Sequence, residues 1–170
     1  MGLSPAKFAY AAVAFFVIGM AVTITQAPPA TFAGAPPPVV VVMAVAFTAF
    51  HLSLLPVVAG LDAPAWAKGS GYAWIVVDNV LVFMSYFGVG GDLVTPMRWG
   101  VHLATATWIA GASSQVPGAM KWVGWGAALA FVAASLAGPF VGVATAAQTL
   151  GPAALLLVVW LVLAGRRLDS

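Results

Sequence analysis

The sequence predicts an all-α integral membrane protein, a single domain over residues 1–170 built as a bundle of about six transmembrane helices. Three observations carry this expectation. Of the residues, 63% are hydrophobic and 6% charged, the mean hydropathy is +1.07, and the apolar residues fall into long runs punctuated by proline and glycine. Soluble domains average about 45–50% apolar and about 25% charged, so water leaves too few polar groups to cover this chain. Disorder is excluded too, because it requires low hydrophobicity and high net charge.

A bilayer core about 30 Å thick requires roughly 20 apolar residues per helix, and the chain divides accordingly. The first span is read as Phe8–Thr25, a retained helix rather than a cleaved signal, since no small-residue cleavage pattern follows it. A Pro/Ala/Gly linker leads to Pro36-Pro37-Pro38, where consecutive prolines forbid helix. The second span is Val39–Leu61, with Pro56 inside it. After Asp62-Ala63-Pro64 and an expected turn at Lys68-Gly69-Ser70-Gly71 comes the third, Tyr72–Phe87, closing on Gly88-Val89-Gly90-Gly91. The fourth runs from Pro96, in its first turn, to Ser113, and the fifth from Lys121 to Ala137, stopped by Gly138-Pro139. Residues 138–149 read either as a helix extension or as a re-entrant piece or loop. The sixth span, residues 150–165, ends at Arg166-Arg167.

Charge asymmetry selects six spans over five. Cytoplasmic loops carry the excess of Lys and Arg, and with six spans Lys7, Lys68, Lys121, Arg166 and Arg167 share one side while Arg98 stands on the other. Five spans divide these charges evenly. The expected topology therefore places both termini in the cytoplasm, with a bacterial inner membrane as the expected location.

The same scarcity of polar groups excludes whole chemistries. The chain has no cysteine, which removes disulfide exchange, thiolate catalysis and cysteine-held iron–sulfur clusters. Six basic residues spread over the chain make no nucleic-acid footprint. The glycines at 88, 90 and 91 lack the lysine and strand of a phosphate loop. No span holds a central lysine for a retinal Schiff base.

Three ionisable residues fall inside spans, where such groups are by default functional candidates. A rise of 1.5 Å per residue puts His51 roughly 19 Å below the outer boundary and Asp78 roughly 9 Å above the inner one, hence at similar depth in a 30 Å core. On consecutive antiparallel helices they can form an intramembrane pair, with Asn79 beside them as further donor and acceptor. Such a pair shares a proton, as a proton relay or ligand site needs; it also serves as a plain interhelical hydrogen bond. His102, roughly 9 Å below the outer boundary, forms a second, shallower group with Arg98 and Asp92, in which Arg98 is expected to pair with Asp92. Phe83, Tyr86, Phe87 and Trp108 suit the wall of an apolar pocket. Gly100, Ala104, Thr107 and Gly111, with Gly124 and Ala128, give small-residue helix contacts, and Trp66, Trp74, Trp99, Trp122 and Trp125 mark interfaces.

These residues imply a binding module for a cofactor, quinone or lipid, or an accessory subunit packed against other membrane subunits or its own copies, with no nucleic-acid partner and no assigned enzyme chemistry. Haem, a pigment or a quinone are the cofactors considered. His51 or His102 suits a single axial ligand; their expected separation of roughly 10 Å opposes a shared haem. The alternative is a proton-coupled small-solute transporter or channel using His51 and Asp78 at the midplane. Against it, a hydrated path needs more lining polar groups than Thr48, Ser53, Ser85, Thr105 and Ser135 supply.

Overall fold

The computed structural model describes residues 4–26, 35–141 and 143–169. These residues form six α-helices and one short 3-10 turn: α1 (Pro5–Gln26), α2 (Pro38–Gly60), α3 (Ala65–Tyr86), the turn Gly91–Leu93, α4 (Val94–Ser114), α5 (Gly118–Val141) and α6 (Val143–Asp169). The first linker lies largely outside the described residues. Its end is visible where Pro37, at ψ 147°, precedes Pro38 at the start of α2, a position whose missing N–H would be unsatisfied anyway.

Each helix packs on its neighbours in sequence, and α1 closes on α6. The bundle is therefore a ring of alternating up and down helices. Close approaches fix the ends: Gly60 of α2 leaves no room for a Cβ against Pro5 of α1 and Leu168 of α6. The starts of α1, α3 and α5 and the ends of α2, α4 and α6 thus share one end, and with them Lys7, Lys68, Lys121, Arg166 and Arg167. Arg98 stands in the opposite half. Lys68 completes the α2–α3 corner, where its Nζ donates to the Ala59 carbonyl at 2.9 Å, satisfying one of the acceptors a helix C-terminus leaves open.

Two spans differ from expectation. The third begins at Ala65, capped by Pro64, so Lys68-Gly69-Ser70-Gly71 is helix and not a turn. Gly71 is needed there for its size, since a Cβ would crowd the Trp108 ring. The backbone of α5 continues through Gly138-Pro139 to Val141, and α6 opens at Val143, so the described backbone between 138 and 149 is helical.

The outer surface is aliphatic, with Val45, Val76, Leu129, Leu136 and Leu155 each more than half exposed. Among the described residues four helices are long and apolar enough to cross a membrane: α1, α2, Gly118–Ala137 of α5 and Leu150–Asp169 of α6. Helices α3 and α4 are less apolar because they carry Asp78, Arg98 and His102, which the ring turns inward. The core fills the half nearest the termini, where Leu54, Val57, Val58, Trp108, Ile109, Trp160 and Leu161 are fully or almost fully buried. Trp160 Nε1 donates to Ser113 Oγ at 3.0 Å, tying α6 to α4.

Candidate functional site

The other half of the ring is not filled. A cavity of about 340 Å³ occupies it, lined by residues of all six helices. Its apolar wall includes Phe16, Phe47, Phe50, Trp74, Phe131 and Leu157, and its polar groups include His51, Asp78, Tyr86, Arg98 and His102. The floor is an aromatic stack. Trp74 lies 5.8 Å from Trp108 at an interplanar angle of 29°, and Trp108 meets Trp160 edge-on at 5.2 Å.

At the centre, His51 Nε2 lies 3.0 Å from Asp78 Oδ2, and Arg98 Nε donates to Asp78 Oδ1 at 3.2 Å. His51 Nδ1 lies 2.8 Å from the Phe47 carbonyl one turn earlier in α2. That carbonyl only accepts, so Nδ1 carries the proton of this contact, and the ring is held facing Asp78. The Asp78 carboxylate is buried, while the Arg98 side chain remains 34% exposed. An isolated buried carboxylate is costly unless paired and hydrogen-bonded; here both oxygens are engaged.

The two groups read from sequence are therefore one. Arg98 reaches Asp78 and not Asp92, which is exposed in the 3-10 turn; the buried carboxylate gains far more from a cation than the solvated one does. His102 lines the same cavity as His51, its ring 5.6 Å from that of Phe131. Asn79 is outside the lining, and its Oδ1 is buried without a partner, as expected for a neighbour turned about 100° around the helix. Of the four proposed pocket aromatics only Tyr86 lines the cavity. Phe83 and Phe87 stack on each other at 5.9 Å with about two-fifths of each exposed, and Trp108 is wholly buried beneath Trp74 in the floor stack, outside the cavity lining.

The wall residues that sequence reading missed are chiefly Phe50, Trp74 and Phe131. Trp74 is not an interface residue: with α3 starting at Ala65 it sits two and a half turns deep and is 2% exposed. A helical signal existed, since Trp74 lies one turn before Asp78 and so shares its face. Trp99 is likewise buried, against Ala134.

The hydroxyls expected along a hydrated path do not line the cavity. Ser53 Oγ donates to the Ala49 carbonyl at 2.7 Å, which uses its polarity within its own helix. Two other cavity groups stand unpartnered: Trp74 Nε1 and His102 Nδ1 are buried with no hydrogen bond in the protein. Buried polar atoms are nearly always satisfied, so these two are orphaned groups beside the cavity, each closed off from it in this structure. Among the described residues no group of three or more His, Asp or Glu is placed to hold a metal ion. Both His51 nitrogens are already engaged, which leaves His102 as the histidine with a nitrogen to offer.

The fold and site define an all-α helical bundle with a half-open cavity lined in part by ionisable side chains. Comparison with family models, with curated proteins and with solved structures yields no match.

Proposed function

We propose that this protein is a six-span membrane module that binds one small amphipathic molecule in its central cavity. The observation that carries the reading is the division of that cavity: an aromatic wall of Phe50, Trp74 and Phe131 faces a polar cluster of His51, Asp78 and Arg98. An apolar cavity with a few convergent polar groups is the usual form of a ligand site, and about 340 Å³ falls near the lower end of the range of about 300–1,000 Å³ for such sites. This volume suits a single ring system or short chain better than a tetrapyrrole. In this reading all six helices cross the membrane, the basic end and both termini face the cytoplasm, and the cavity lies toward the opposite face.

Proton-coupled transport is the second reading, favoured by the paired His51 and Asp78 at the depth where transporter sites lie. The aromatic stack beneath the cavity, and a lining whose hydroxyls are those of Thr23 and Tyr86 while Thr48, Ser53, Ser85, Thr105 and Ser135 lie outside it, favour binding over conduction.

Titration of the purified protein with naphthyl probes, taken as the carboxylate and the amide, tests the binding reading. Saturable quenching of tryptophan emission by at least one probe is expected, and its loss in Ala154→Trp, which fills the cavity. Linear, unsaturable quenching that is identical in both proteins contradicts it; proton or solute movement in liposomes that depends on Asp78 turns the assignment to transport.

A further inference from the structure

We infer that the cavity selects ligands with a single anionic head, a carboxylate or its equivalent, received at Arg98; this rests on the binding reading above. The inference follows from counting charges and protons around Asp78.

The charged and titratable groups facing the cavity come from three helices. His51 stands on α2, Asp78 and Tyr86 on α3, and Arg98 and His102 on α4; the lining residues of α1, α5 and α6 carry none. His51 Nδ1 must present a hydrogen to the Phe47 carbonyl at 2.8 Å. Its Nε2 then faces Asp78 Oδ2 at 3.0 Å, where two lone pairs repel unless a proton lies between them. Whether that proton sits on the imidazole or on the carboxyl, the pair is neutral as a unit. Arg98 is always charged, so the cluster carries one net positive charge at the cavity, on a side chain that is 34% exposed.

The donors are unevenly used as well. Arg98 gives Asp78 only its Nε, and no protein acceptor meets its two terminal nitrogens among the described residues. Those nitrogens are the edge that binds a carboxylate through two parallel bonds. Trp74, whose ring lines the same cavity, has a buried Nε1 without a partner, a further donor once the ring turns toward a ligand. A cationic ligand has no complementary charge here, because both oxygens of Asp78 are already engaged. A neutral head leaves the positive charge uncompensated. An anionic head neutralises the site and fills its open donors together.

The test compares naphthoate, naphthamide and a naphthyl trimethylammonium by equilibrium dialysis against the full chain in neutral detergent, with protein-free micelles subtracted. Naphthoate is expected to bind at least about tenfold tighter than naphthamide, and the ammonium more weakly than either. Arg98→Gln is expected to bring the ratio of naphthoate to naphthamide close to one, whereas Arg98→Lys, which keeps the charge and serves if the glutamine variant does not fold, retains a clear preference for the anion. Equal binding of naphthoate and naphthamide by the unaltered protein, preference for the ammonium, or an undiminished anion preference in Arg98→Gln overturns the inference while the cavity reading stands. If none of the three probes binds saturably, both fall.

Discussion

Arg98 Nε lies 3.2 Å from Asp78 Oδ1, twenty residues away in sequence and on the neighbouring helix. This contact joins α3 to α4, merges two groups of polar residues into one site, and leaves the terminal nitrogens of a cavity-lining guanidinium without a protein acceptor among the described residues. Since His51 holds the other oxygen of Asp78, one carboxylate fastens three helices around the space they enclose.

Replacing that carboxylate by an amide leaves Arg98 an oxygen to donate to but removes the negative charge that balances it and one of the two acceptor oxygens. Asp78→Asn is therefore expected to lower stability by about 3 kcal/mol, in the range for breaking a buried pair from one side. Unfolding of the purified protein in micelles by a denaturing detergent measures it. A change within about 0.5 kcal/mol, the usual scale for an unimportant surface site, contradicts the role given to Asp78.

Trp74 separates a ligand role from a packing role. Its Nε1 has no partner in the protein, so Trp74→Phe loses ring volume but breaks no hydrogen bond. A stability cost of about 1 kcal/mol is expected, with naphthoate binding weakened about tenfold, or 1.4 kcal/mol. Dialysis and melting of one preparation give both quantities, and unchanged binding with a large stability loss reverses the interpretation.

The closed half of the ring has its own test at Gly124, where a Cβ would collide with Ser113 Oγ and crowd Trp160 Nε1. These are the two atoms of the α4–α6 hydrogen bond, buried in a packed core that has no room to shift. Gly124→Leu is expected to destabilise by about 3 kcal/mol, at the upper end for overpacking; near-neutral behaviour in the same unfolding measurement means that α5 does not seat as described.

How far the site could be read from sequence depended on what each residue reports. His51 and Asp78 were placed at one depth by counting helical rise, because a short loop joins antiparallel neighbours and leaves little freedom. For Arg98 the sequence points to Asp92, the nearer acid along the chain, whereas burial decides which carboxylate needs the cation. Glycines at 69 and 71 read as a turn and so put Trp74 near an interface; in α3 Gly71 instead gives Trp108 room. Phe50 and Phe131 carry no mark distinguishing a cavity wall from a core, since both are apolar residues on inward faces. The void itself is a property of six helices together, and periodicity along any one of them does not encode it.

The topology can be checked without background labelling, because the chain has no cysteine. Asp62→Cys and Gln115→Cys, at the corners beyond α2 and α4, are expected to react with an impermeant maleimide from the face that also carries the C-terminus. Leu93→Cys, exposed in the 3-10 turn, should react only from the other. Labelling of Leu93→Cys and Asp62→Cys from one face contradicts the alternating ring.

The central claim is that the cavity holds a molecule, and native mass spectrometry of the protein released from mild detergent tests it most directly. One small adduct of constant mass is expected on the unaltered protein and none on Ala154→Trp, with both proteins melting cooperatively. No adduct on the unaltered protein, even after incubation with naphthoate, or the same adduct on both proteins, contradicts the account.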